Sequence, residues 1–296
     1  MLPAGATFQG SFVLRYKAGT GTDADWITIR TSTPDSSLTP DVRVNPSDAP
    51  KLARIVSPGS AQAAIQTEPR AHHYKLIGLE IAPRDSAAFL YDVVLLGTTG
   101  PDQDTLDEVP NHLVIDRCWI HAYADQSLKR GIQLNSASTD ILNSYIAGFK
   151  VVGQDSQAIA SFNGPGPFKI LNNHLEGAGE NVLFGGADPS IPNLVPSDIE
   201  VRRNHFYKPL SWYFNDPGYA GVHWSVKNLF ELKNAQRVTI DGNLFENNWG
   251  DAQVGYAILF TVRNQDGTAP WSAVTDVQLT HNIVRQGAPT TSRSTG

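Results

Sequence analysis

Six segments of this 296-residue chain repeat one pattern of an apolar strand, a tight bend and a second short strand. They are 114–120 (VIDRCWI), 140–146 (DILNSYI), 169–175 (KILNNHL), 200–206 (EVRRNHF), 239–245 (TIDGNLF) and 278–284 (QLTHNIV). Aligned on the bend, one column reads Cys118, Ser144, Asn173, Asn204, Asn243 and Asn282, with spacings of 26, 29, 31, 39 and 39 residues. The segment 75–81 (KLIGLEI) is a shorter, earlier copy. A unit of this size cannot bury its apolar face alone and gains a core only by stacking on its neighbours. An asparagine at a bend tolerates left-handed φ, and its amide can bond nearby backbone. Amides stacked at the spacing of paired strands, about 4.8 Å, can also bond one another. The column therefore predicts an asparagine ladder, with Ser144 and Cys118 as small substitutes and Cys118 a buried, inert thiol.

A second strand precedes each bend. The stretches 182–188 (VLFGGAD), 228–234 (NLFELKN) and 258–264 (ILFTVRN) align without gaps, 132–138 (IQLNSAS) fits the same frame, and 159–165 (IASFNGP) belongs with them. Period-two alternation sorts their faces. Val182, Phe184, Phe230, Leu232, Ile258, Phe260 and Val262 point inward. Gln133, Asn135, Leu183, Gly185, Leu229, Glu231, Lys233, Leu259, Thr261 and Arg263 point outward. Helical periodicity is nearly absent. The expected fold is all-β, a single-stranded right-handed parallel β-helix of about eight coils over 1–287, with a linker-like tail at 288–296.

Function then belongs on the outer face of a sheet. The formal charge of −6 argues against a nucleic-acid binder but leaves room for a local basic cluster that meets an anionic sugar. No apolar run reaches the roughly 20 residues of a membrane span. One cysteine excludes an intrachain disulfide and a cysteine-rich metal site. The start, MLPAGATFQG, lacks a signal peptide's basic and apolar regions. A piece of a secreted, periplasmic or cell-surface protein, monomeric, is the expectation. Long loops at 207–227 and after Phe245 carry Trp212, Tyr213, Tyr219, His223, Trp224 and Trp249, expected to wall a groove over the strand at 228–234. Aromatic faces on a polar floor suit sugar rings; the plainer reading is that each aromatic pins its loop to the barrel.

The chain resembles the pectate-lyase-like superfamily of parallel β-helices from about Gly10 to Gln286. Its opening, AGATFQGSFVLRYKAGTGTDADWITIRTS, and the later HHYKLIGLEIAP resemble the alginate lyase and chondroitinase B type polysaccharide lyases. In that family a base lysine sits on the groove sheet and an arginine acid on the next coil. LFELKN and LFTVRN place Lys233 and Arg263 in one column of adjacent coils. Two neighbouring cations depress the lysine's pKa, so that it can accept the C5 proton of a uronic acid. Arginine, always charged, binds the carboxylate or stabilises the enolate-like intermediate. Glu231, on the same face, tunes the pair or forms a plain salt bridge with it.

The family's calcium carboxylates would lie five and seven residues before the lysine. Those positions hold Asn228 and Val226, so the calcium site is not reproduced and no metal ligand is assigned. His72 and His73, adjacent on a strand, are expected to diverge and not to chelate. Asn135, Glu180, Asp188, Trp212, Tyr219, His223, Trp224, Asn228 and Trp249 are the expected substrate-binding residues. Three functions stay open. The first is a lyase that cleaves a uronate polysaccharide by β-elimination with Lys233, Arg263 and Glu231. The second is a glycoside hydrolase using groove carboxylates such as Glu231 and Glu180. The third is a non-catalytic glycan-binding or structural module.

Overall fold

The computed structural model describes residues 1–19, 22 and 25–285; the expected tail at 288–296 lies outside them. Every named strand pairs in parallel with its counterparts one coil before and after, and three sheets result. Sheet I runs through Phe12–Leu14, Ile65–Thr67, Asp92–Leu96, Arg130–Leu134, Gln157–Ser161, Glu180–Phe184, Phe230–Leu232 and Ile258–Phe260. Sheet II has eight strands from Ile27–Arg30 to Val274–Thr280, and sheet III nine from Thr7–Gln9 to Ile283–Arg285. The chain visits III, I and II in turn, coil after coil, which is a parallel β-helix of about eight coils.

Stacked, not paired across the barrel, the inward residues form columns. On sheet III one column runs Ile55, Ile81, Ile120, Ile146, Leu175, Phe206 and Phe245, all buried in one core cluster. Phe206 stacks on Phe245 at 4.5 Å between ring centroids. β-Branched and aromatic side chains fill such a pleated interior well. On the last described coil Phe260 is 41% and Val262 56% exposed, although both were expected inside. Leu229, expected outside, is instead fully buried in the core.

At the corner between sheets II and III the asparagine column is continuous. Asn204 Oδ1 accepts from Asn173 N at 2.8 Å and Asn173 Nδ2 at 3.0 Å. Asn243 Oδ1 and Asn282 Oδ1 receive the same two bonds from Asn204 and Asn243. Each of Asn173, Asn204, Asn243 and Asn282 also donates Nδ2 to a backbone carbonyl. Ser144 Oγ accepts from Cys118 N, and Ser144 N donates to Asn173 Oδ1. The left-handed residue is not the column member but the one before it, namely Arg117, Asn143, Asn172, Arg203, Gly242 and His281. The sequence reading had merged the two positions. Burial pushes the Cys118 thiol up to about 12, which leaves it uncharged and unreactive.

Candidate functional site

On sheet I the true register is Ile132–Ile159–Val182–Phe230–Ile258. Ile132, Ile159, Val182 and Ile258 keep the frame of the sequence alignment; the segment 228–234 is displaced by two residues, Phe230 standing where Asn228 was expected. Lys233 therefore follows a strand in which Leu232 pairs with Phe260, and the expected pairing of Lys233 with Arg263 does not form. The side-chain faces survive because a slip of two preserves the alternation. The column partnership does not. Arg263 is exposed, and its backbone N donates to the Lys233 carbonyl at 3.0 Å. The like-charge neighbour expected beside Lys233 is replaced by a carboxylate, with Glu231 Oε1 3.6 Å from Lys233 Nζ.

Two residues before Ile132, Ile159 and Val182 stand Arg130, Gln157 and Glu180, and these share an outward column with Asp92. Arg130 donates to Asp92 Oδ1 at 2.8 Å and to Gln157 Oε1 at 3.0 Å. Gln157 Nε2 donates on to Glu180 Oε2 at 2.8 Å. Glu180 is fully buried and its Oε1 has no hydrogen-bond partner among the described residues. Desolvation, the Asp155 charge and the Glu231 charge raise its pKa to about 7, against the opposing effects of Gln157 and Lys227. Beneath it Lys208, also fully buried, donates to the carbonyls of Gly177, Ala178 and Gly179 and to Asn181 Oδ1. Desolvation pulls Lys208 down to about 7, with Glu180 acting to raise it.

Above this network opens a cleft of about 300 Å³, lined by Lys129, Arg130, Asp155, Gln157, Phe162 and Lys233 with the glycines 185 and 186. Gly185 has φ +91, and a Cβ there would come within 2.8 Å of Lys233 Cβ and Asn234 N. Its bareness thus lets the lysine strand pack, and it brings backbone to the cleft surface. Asp155 pairs with Lys227 at the rim. Burial, then Arg130, lowers the pKa of Lys129, with Asp92 and Asp155 opposing.

Several expected substrate ligands lie elsewhere. Asn135 is buried at the corner between sheets I and II, where its Oδ1 accepts from Phe162 N and Asn163 N. Trp212, Trp224 and Trp249 form a separate buried cluster with Ala178 and Val226, so they pin the loops, as the plainer reading had it. Tyr219 is half-buried on that loop and does not line the cleft. His223 is exposed, with Nε2 2.7 Å from Asp251 Oδ1. Asn228 is buried and donates to Glu231 Oε2 at 3.1 Å, while its Oδ1 accepts from Tyr256 N. Asp188 anchors a neighbouring loop by accepting from the backbone of Gln265, Asp266 and Thr268 and from the Thr268 hydroxyl. Lys233, Glu231 and Glu180 remain together. The residues that sequence reasoning missed are Lys129, Arg130, Gln157 and Lys208.

Two metal questions resolve on the donor set. At the family's calcium positions Val226 offers no side-chain oxygen and packs among tryptophans, and Asn228 spends both ends of its amide internally. The residues do not fit calcium, and no step below uses it. His72 and His73, expected to diverge, converge instead: His73 has φ 57, and their Nδ1 atoms are 2.8 Å apart. Among the described residues no group of three or more His, Cys, Asp or Glu is placed to hold a metal.

No protein-family model matches the chain, and no curated protein matches it. Among solved structures it is similar to an alginate lyase from Paenibacillus sp. strain FPU-7, at 15% identity over 97% of this chain and 90% of that one, with a TM-score of 0.41. It is also similar to the Agl-KA catalytic domain, at 14% identity over 98% of this chain and 62% of that one, with a TM-score of 0.24.

Proposed function

We propose that the chain is a polysaccharide lyase that cleaves a uronic-acid polymer by β-elimination in the sheet I cleft. The observation that carries the reading is the gathering of Lys129, Arg130 and Lys233 around one cleft of about 300 Å³ on a protein of net negative charge. Arg130, held by Asp92 and Gln157, presents a fixed guanidinium to the substrate carboxylate, and Lys129 adds a second cation. Neutralising that carboxylate acidifies the C5 proton, because the charge of the enolate-like intermediate falls on the same oxygens. Lys233 takes the proton. The C5–H electron pair forms the C4–C5 double bond, the C4–O bond breaks, and the lysine's proton passes to the departing oxygen. Arg263, at the exposed end of the same sheet, binds substrate beyond the cleft.

The test is incubation with alginate, pectate and glycosaminoglycans while following the ultraviolet absorbance of the unsaturated product. The wild type is expected to generate it from at least one polymer, and Lys233→Ala to lose about a hundredfold or more of the rate, the scale of a general base. No unsaturated product from any of them sinks the reading. One observation favours a second reading, a glycoside hydrolase: Glu180, whose pKa burial raises to about 7, has an oxygen without a partner among the described residues. That reading requires new reducing ends without a chromophore, lost in Glu180→Gln.

A further inference from the structure

Sheet III carries a second cleft, of about 290 Å³, on a different face from the first. Its floor is His121, Tyr145, Ala147 and Glu176, and its walls are Pro46 on one side and Pro209, Ser211 and Trp212 on the other. The loop at 34–52 forms the first wall because Leu38, Val44 and Leu52 pack against Trp119 and Tyr145. The second wall is held by the tryptophan cluster. The long loop expected to border sheet I thus builds this trough.

The charges on the floor are balanced within the protein. Arg54 lies 2.9 Å from Glu80, which is 3.1 Å from His121 Nε2. Lys150 turns its ammonium to the carbonyls of Tyr123 and Gly148, above the rings of Trp212 and Trp224. Glu176 accepts from His174 at 2.8 Å through Oε1, and among the described residues no hydrogen bond reaches its Oε2. The trough therefore offers an acceptor oxygen between apolar walls, and the cation that lines it, Lys150, is engaged by two backbone carbonyls and two tryptophan rings. A uronate or phosphate would bring its charge against Glu176. A peptide strand cannot add by backbone pairing, since the sheet III strands on the floor are paired on both sides. What fits is a ring with apolar C–H faces and donating hydroxyls.

We propose that this trough is a second glycan site, one that takes a neutral pyranose and is independent of the sheet I cleft. Sugar C–H faces lie against Pro46 and Pro209, and a hydroxyl donates to Glu176 Oε2.

Isothermal titration with neutral gluco-, manno-, galacto- and xylo-oligosaccharides tests it on four proteins: wild type, Glu176→Gln, Ser211→Trp and Lys233→Ala. The wild type and Lys233→Ala are expected to bind at least one of the series alike. Glu176→Gln is expected to weaken it about tenfold, the scale of one hydrogen bond to a charged acceptor. Ser211→Trp, which fills the trough from its half-buried wall without touching the floor, abolishes binding. The proposal is overturned if none of the series binds wild type, if Ser211→Trp binds undiminished, or if Lys233→Ala loses the binding. The last result would assign the sugar to sheet I, and the uronate turnover assay would stand apart from all three.

Discussion

Replacing Asn204 by alanine removes four hydrogen bonds at once. Its Oδ1 accepts from the backbone and side chain of Asn173, and its Nδ2 donates to Ile170 O at 2.7 Å and Asn243 Oδ1 at 3.1 Å. Asn204 is 2% exposed, and its partners Asn173 and Asn243 are equally buried, so water cannot replace what is lost. At about 1 kcal/mol net for each bond, the expected cost is about 4 kcal/mol. Asn282 is the control: it makes three bonds of the same kind, but it is half-buried on the last described coil. Water reaches it there, and Asn282→Ala is expected to cost about 1 kcal/mol. Asn204→Ser is expected to fall between, because Ser144 already serves this column with one accepted and one donated bond. Urea unfolding followed by circular dichroism reads all three, as a shift in midpoint at unchanged slope. If Asn204→Ala costs no more than Asn282→Ala, burial of the ladder amides does not set their contribution to stability.

Two further outcomes follow from titrating groups. Burial lowers Lys150 to about 8, and Glu176 and Asp125 oppose that shift. Between about 8 and its ordinary value the unfolded chain holds more protons, so stability rises with pH across that window. Lys150→Met is expected to lack about 3 kcal/mol of that rise in urea unfolding at matched pH values; an identical rise in both proteins contradicts the assignment. Desolvation tends to raise Asp188, but the bonds from Thr268, Gln265 and Asp266 outweigh it and its pKa is lowered. Its anchoring is therefore present above the ordinary carboxylate range and lost as pH falls through the depressed value. Asp188→Ala is expected to speed amide exchange at 265–268 at neutral pH, with the midpoint of global unfolding unchanged.

Much of the fold was legible because the repeating units stack. The column from Cys118 to Asn282 and the alternation in 132–138 and 182–188 set coil, face and register for the middle of the molecule, and the structure supplies the register of 159–165 between them. Register failed at 228–234 alone, where "LF" recurs two residues out of step with the pairing on both sides. Alternation of period two cannot detect a slip of two. Arg130 and Gln157 escaped because strict alternation counted back from Ile132 and Ile159 turns them inward, whereas the ladder skips the intervening pair and both line the cleft. Lys208 escaped because a lysine after a strand reads as a solvated loop residue until a loop of twenty residues closes over it. The tryptophans misled for a related reason. Composition says that aromatics are present, but only packing says which surface they leave uncovered, and they cover one another.

The most direct measurement is a crystal structure of Lys233→Ala soaked with a uronate tetrasaccharide, since the variant binds without turning over. The oligomer is expected on sheet I, with one carboxylate against the Arg130 guanidinium and Lys129, and with C5 facing the space vacated at position 233. An oligomer seated on another face, or an empty cleft at saturating ligand, would contradict the account.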